Sequence, residues 1–158
     1  MQSPLIELDE FDRKILDILQ ANNKMPQREI AKAVHLSAPA IQRRIKKMED
    51  FGIIQCNIAL LDPTKFDQRI TIITQVSMES ERLDLYESAK TSFHAAPEVQ
   101  QCYYVTGDAD FILIITVKTM RDYERLTREL FFENNNVKSF RTFVAMEPIK
   151  TGLAIPTS

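Results

Sequence analysis

The hydrophobic positions change character part-way along the chain, and the change marks two architectures. In LDEFDRKILDILQANNK, Phe11, Ile15, Ile18 and Leu19 fall on one helical stripe. Asp9 is placed to cap this helix, Asp12 sits in its first turn, and Asn22 and Asn23 can end it. PQREIAKAVHL predicts a second, shorter helix entered at Pro26, with Ile30, Ala31 and Val34 inward. Residues 34–37 make a tight connection, and LSAPAIQRRIKKMED predicts a third helix over residues 38–51. Ser37 caps it, and Pro39 lies in its first turn, where a missing N–H breaks no internal hydrogen bond. Gly52 ends the helix, and IIQCNIALL follows as a β-rich piece, a small wing or a strand leaving the domain.

DPTKFDQ, polar and interrupted by Pro63, is the candidate linker. Beyond it RITIITQVSM is a β-branched run, and SERLDLYESAKTSFHAA predicts a helix capped by Ser80. EVQQCYYVTG and DFILIITV predict two strands joined through residues 106–110. TMRDYERLTRELFFE predicts a helix capped by Thr119, with Asp122 at the capping-box position, and VKSFRTFVAMEPIK a last strand. The order β-α-β-β-α-β is the ferredoxin-like arrangement, a four-stranded antiparallel sheet with both helices on one face. The expected class is therefore α+β. A winged helix-turn-helix occupies residues 1–60, a linker residues 61–68, and a ferredoxin-like domain residues 69–158. Nothing in the chain remains to cover the second sheet face, so self-association through that face is expected.

At 158 residues, 44% hydrophobic and 27% charged, the chain is long and apolar enough to bury two small cores. No apolar run approaches the roughly 18 residues of a membrane span, and MQSPLIELDE lacks the build of a secretion signal, so a cytoplasmic protein is expected. Cys56 and Cys102, far apart and without metal-spaced partners, are expected as buried reduced thiols.

The formal net charge of −2 conceals an uneven distribution. Residues 1–17 carry a net −3, whereas residues 24–47 hold Lys24, Arg28, Lys32, Arg43, Arg44, Lys46 and Lys47 against Glu29 alone, a net +6. At 100° per residue, Ile41, Ile45 and Met48 share one side of the third helix. Gln42, Arg43, Lys46 and Lys47 fan around the other, with Arg44 at the border. A cationic run can simply solvate an exposed helix face. The helix and tight turn that precede it favour a helix-turn-helix whose third helix enters duplex DNA.

Both halves together resemble the Lrp/AsnC (leucine-responsive, feast/famine) family of bacterial transcription regulators. The resemblance runs nearly end to end, through LDEFDRKIL, REIAKAVHLSAPAIQRRIKKMEDFGII, YYVTGDADFIL and TFVAMEPIK. It implies DNA binding by the N-terminal domain, dimers through the sheets that assemble into octamers, and a free amino acid as effector between subunits. Matched residue by residue, Ser37, Pro39, Gln42, Arg43, Arg44, Lys46 and Lys47 fall on the DNA-reading helix, and Gln27 and Arg28 open the helix that supports it.

TGDAD matches the family's Gly-Asp-x-Asp turn beside the effector. Gly107 lets backbone N–H groups approach a carboxylate, Asp108 or Asp110 suits an ammonium, and Tyr104, Val105 and Phe111 offer apolar contact. The same residues suit an ordinary hairpin turn, and it is the resemblance that assigns them to an effector. Two departures bear on the ligand. Ala109 stands where an aromatic residue is common, and ENNNV replaces a frequent Leu-Pro-Gly-Val, a polar loop whose Asn134, Asn135 and Asn136 either reach an effector from a neighbouring subunit or merely end a helix. The leucine or methionine class is favoured. His35 and His94 lack partners at metal spacing, and the sequence holds no nucleophile triad, phosphate loop or dinucleotide fingerprint. Neither a metal nor a cofactor is expected. An enzyme remains the alternative because sirohaem decarboxylases share the two-domain build, and an effector-free architectural DNA binder is a third reading. The intact cationic helix and scarce histidines favour the regulator.

Overall fold

Asp9 Oδ1 accepts the Asp12 N–H at 2.8 Å, and Asp12 Oδ2 accepts the Asp9 N–H at 3.3 Å. This reciprocal capping box opens α1 (Glu10–Ala21). In the computed structural model, which describes residues 7–66, 69–133 and 136–157, α1 is followed by α2 (Gln27–Val34) and α3 (Ala38–Asp50). His35 adopts a left-handed conformation at φ 57° and closes α2, so that the Leu36 N–H returns to the Ala31 carbonyl at 3.0 Å. Ser37 Oγ then accepts the Ala40 N–H at 3.3 Å, with Pro39 in the first turn of α3. The three helices bury Ile15, Ile30, Ala31, Val34, Ile41 and Met48 against one another.

Charge also joins α1 to α3. Arg44 Nη1 donates to Asp9 Oδ2 at 2.8 Å and to Asp12 Oδ1 at 2.7 Å. Its side chain is only 26% exposed and that of Asp12 only 8%, so the pair is sheltered from water. The guanidinium carbon also stands 5.7 Å from the centroid of the Phe11 ring. The carboxylates that cap α1 therefore also hold the middle of α3.

The second unit is a sheet of β1 (Ile70–Met78), β2 (Val99–Tyr104), β3 (Phe111–Val117) and β4 (Val137–Val144), with α4 (Leu83–Ala95) and α5 (Met120–Thr127) between strands. The sheet order is β2-β3-β1-β4, antiparallel throughout. Val76 lies opposite Phe111 on one side and Phe140 on the other. One face buries Ile72, Val76, Leu113 and Ile115 together with Phe93 of α4 and Leu126 of α5. A polar chain leads out of this core: the Tyr123 hydroxyl lies 2.9 Å from the buried Thr74 Oγ1 and 2.6 Å from Oγ1 of the exposed Thr142. By register Ile73, Tyr103, Ile112, Ile114 and Phe143 belong to the opposite face, where Ile73, Tyr103 and Phe143 are exposed. Helix α5 continues as a π-helical turn, Arg128–Phe132, in which the Glu133 N–H reaches the Arg128 carbonyl at 3.0 Å.

Several sequence expectations need correction. Residues 53–61 form no strand, since this stretch joins no ladder among the described residues. Ser80 does not cap α4, whose N-cap is Arg82 without a side-chain bond. Instead the Ser80 backbone is clasped by Asn136, which accepts its N–H at 2.9 Å and donates to its carbonyl at 3.1 Å. Both cysteines are exposed, Cys56 in the extended stretch and Cys102 on β2, an edge strand. Phe132 is exposed and packs edge-on to Phe140. The division between units falls at Leu60/Leu61, and the segment from Lys150 onwards groups with the first unit, not with the sheet as expected.

Arg44→Ala should destabilise the chain by about 2–3 kcal/mol, because it strands the sheltered Asp12 carboxylate, and Arg44→Lys by roughly 1 kcal/mol. Urea denaturation measures both. The Asp12 N–H, aided by Arg44, holds Asp9 below the usual carboxylate range. Its contribution is therefore complete above about pH 4 and drains away as pH falls through the lowered value. Asp9→Asn should flatten that acid limb.

Candidate nucleic-acid interface and effector turn

Helix α3 presents two chemically different sides. Ile41 and Met48 are buried and Ile45 is half-buried, whereas Ser37, Pro39, Gln42, Arg43, Lys46 and Lys47 are exposed. Lys46 pairs with Asp50 at 3.1 Å, an exposed contact that costs little to exchange. Arg43 and Lys47 make no ion pair among the described residues, leaving their cations available to a polyanion. Gln27 and Arg28 are exposed at the start of α2, with Arg28 Nε 3.7 Å from Glu29. Arg44 is set apart from this group by its contacts to Asp9 and Asp12, which raise its affinity for a proton through the Asp12 hydrogen bond first. It lines a hollow of about 310 Å³ with Arg43, Lys47 and the acidic Glu7, Asp9 and Asp12.

The helix-turn-helix geometry aims these groups. His35 places α3 after α2, and burial of Ile41 and Met48 fixes its roll. A ~10 Å-wide rod with one cationic side fits the ~12 Å width of a DNA major groove. Guanidinium and amide groups at Arg43 and Gln42 suit base edges, and Lys47 suits phosphates.

In the second unit the turn between β2 and β3 is held from beneath. Asp110 Oδ2 accepts the Met78 N–H at 2.7 Å, and Oδ1 accepts the Tyr86 hydroxyl at 2.6 Å. The Asp110 N–H donates to the Val76 carbonyl at 2.9 Å, and its carbonyl accepts the Val105 N–H at 2.9 Å. The hydrogen bond to Asp110 pushes the Tyr86 hydroxyl far above its ordinary pKa, so it stays a donor. Gly107, at φ +127°, gives the turn a backbone that a side-chain-bearing residue would strain to adopt. Asp108 is exposed, and its carbonyl accepts from Ser77 Oγ at 3.4 Å.

Tyr104, 63% exposed, stands edge-on to Tyr86 at 5.6 Å and tilted against the buried Phe111 at 5.4 Å. Lys90 Nζ lies 5.5 Å from the Tyr104 ring centroid. The structure thus gathers Tyr104, Val105, Gly107, Asp108, Asp110 and Phe111 at one turn and adds Tyr86 and Lys90 from α4. Neither addition was marked from the sequence. Only the fold shows the Tyr86 hydroxyl bonded to Asp110. Asn136 is buried and occupied with Ser80. Asn134 and Asn135 lie outside the described residues. A separate groove of about 370 Å³ runs between α4 and the π-helical turn, lined by Ser88, Ser92, Glu129 and Glu133 among others.

Residues 8–49 match the AsnC-type helix-turn-helix domain, and residues 71–155 match the Lrp/AsnC ligand binding domain. The chain is 41% identical over 156 residues to the HTH-type transcriptional regulator y4tD of Sinorhizobium fredii, covering 99% of this chain and 92% of that one. It is 32% identical over 144 residues to the leucine-responsive regulatory protein of Escherichia coli K12, covering 91% and 88%. Among solved structures, it superposes on an AsnC family transcriptional regulator from Agrobacterium tumefaciens with a TM-score of 0.88 at 31% identity, covering 94% and 97%. The Neisseria meningitidis regulator NMB0573, solved in complex with L-Met, gives 0.88 at 28% identity, covering 95% and 97%. The chain belongs to the Lrp/AsnC family of transcription regulators, with a helix-turn-helix domain followed by a ligand-binding domain.

Proposed function

We propose that this regulator binds specific duplex DNA sites through α3 and that a free amino acid of the methionine or leucine class controls that binding or the assembly behind it. The observation that carries the DNA half is the exposed pair Arg43 and Lys47, unpaired among the described residues, beside Gln42 on a helix whose other side is buried. Gln42 and Arg43 read bases; Ser37, Pro39, Lys46, Lys47, Gln27 and Arg28 set the helix against the backbone. Arg44 holds the helix in place from within its own domain. Dimers form through the sheet face bearing Ile73, Tyr103 and Phe143 and assemble to an octamer, and the protein acts in the cytoplasm. No helix of the described residues is long and apolar enough to cross a membrane.

The effector half rests on the turn and on two relatives: the Neisseria regulator was solved with L-Met, and the E. coli relative is leucine-responsive by name. An α-amino acid brings a carboxylate, an ammonium and a side chain. Backbone N–H groups near Gly107 suit the carboxylate, and Asp108, exposed, suits the ammonium. Tyr104 and Val105 suit an apolar side chain, with Phe111 as the floor. Asp110 keeps the turn in shape through Met78 and Tyr86, so its loss acts on the site through the backbone.

Arg43→Ala should cost about 1–3 kcal/mol of discrimination between specific and random DNA, and Lys47→Ala should weaken both, lowering the salt slope by roughly 1. Anisotropy titrations across a salt series read both effects; unchanged binding would remove α3 as the reader. A thermal-shift screen of the twenty amino acids should single out methionine or leucine. Asp110→Ala should blunt the response while leaving effector-free DNA binding near wild type, and Asp108→Asn should raise the concentration required several-fold. A wild-type response in both variants would move the site elsewhere.

A further inference from the structure

The outer face of α1 is occupied, and its occupant is the far end of the chain. Arg13, Asp17 and Gln20, spaced four and three residues apart, lie on one exposed stripe away from the buried Ile15. The Gln20 amide meets Ile155 as a β-strand neighbour would: Nε2 donates to the Ile155 carbonyl at 3.0 Å and Oε1 accepts its N–H at 2.8 Å. Thr157 Oγ1 donates to Asp17 Oδ1 at 2.7 Å, and the Arg13 guanidinium donates to the Thr157 carbonyl. Successive turns of α1 thus read the main chain and one hydroxyl of a single extended segment.

The segment is suited to this. Pro156 restricts Ile155 to extended backbone, which lowers the entropy lost on docking. Leu153 is 69% and Ile155 71% exposed, so hydrogen bonds and not apolar burial hold it. Such a contact forms and releases without unfolding either partner.

What precedes the segment gives the contact its meaning. Strand β4 ends at Val144, and the Ala145 N–H still bonds the Thr71 carbonyl of β1 at 2.9 Å. Strand β1 in turn supplies the Val76 carbonyl and Met78 N–H that hold Asp110, and β4 pairs with those same residues, Phe140 opposite Val76 and Val137 opposite Met78. The turn proposed to sense the effector is therefore hydrogen-bonded to β1, β1 to β4, and β4 continues as the chain that docks on α1.

We propose that the stripe Arg13, Asp17 and Gln20 is a docking surface for the chain's own C-terminal segment, residues 153–157, and that the docked segment is a second route, besides the linker, by which the ligand-binding unit acts on the DNA-binding unit. The docking stands on the contacts themselves; the relay rests on the effector reading above.

The test compares the full chain with Gln20→Ala/Asp17→Ala, neither residue belonging to the DNA-binding face. The first readout is tryptic cleavage after Lys150, followed by mass. Slow release of the C-terminal peptide from the wild type and several-fold faster release from the variant support docking. Equal rates overturn it. Cleavage protection in the wild type that depends on protein concentration also overturns it, because the segment would then dock on a second copy. The second readout is DNA affinity with and without methionine or leucine. A variant with basal affinity near wild type but an effector-induced change several-fold smaller supports the relay, and an undiminished change overturns it. Should the wild type respond to no amino acid, the effector reading fails and the relay with it, while the cleavage rates still decide the docking.

Discussion

Two carboxylates and one guanidinium decide how the DNA-binding unit is put together. Asp9 and Asp12 satisfy each other's backbone N–H groups and so start α1, and the same two side chains receive Arg44 from the middle of α3. Helix initiation and helix–helix register therefore share two carboxylates, one oxygen of each serving either task. An apolar contact alone would let α3 slide or roll by a fraction of a turn. A guanidinium held by two carboxylates, with Asp12 sheltered from water, resists that because any displacement leaves a charge unpaired. The same arrangement divides the cationic run by role: Arg44 is spent inward, and Arg43 and Lys47 remain for a polyanion.

The ligand-binding unit repeats the principle with Asp110. Its carboxylate is used by Met78 and Tyr86, its N–H by Val76 and its carbonyl by Val105, so the turn is fastened to β1 and α4 together. An acidic residue fully engaged inside its own chain is a poor first partner for a ligand ammonium and a good means of transmitting strain. Asp108, exposed beside Gly107, has the opposite properties. The turn is thus fastened to β1, and β1 is paired along its length with β4.

The helices and strands were legible in the sequence for ordinary physical reasons. Caps at Asp9, Ser37 and Thr119, the proline in the first turn of α3, and the β-branched run of β1 are local signals, readable within a few residues. Where local signals misled, the outcome depended on whether folding brought a distant partner. Ser80 has the composition of a helix cap, yet Asn136 holds its backbone. Residues 53–61 have the composition of a strand, yet a strand needs a ladder partner and the described residues provide none. Cys102 has the composition of a core residue but sits on an edge strand.

The candidate sites divide in the same way. The sequence by itself determined that α3 is cationic on one side, that Gly107 with its flanking aspartates makes a turn, and which family's motifs the chain carries. Periodicity and residue type are enough for these, since each is a property of neighbours along the chain. Only the tertiary structure decided which charges are available and which are consumed. Arg44 meets residues more than thirty positions away, Asp110 meets Tyr86 and Met78 across the sheet, and Gln20 meets Ile155 across 135 positions. A side chain's type sets what it can bond, but what it does bond depends on what folding brings beside it.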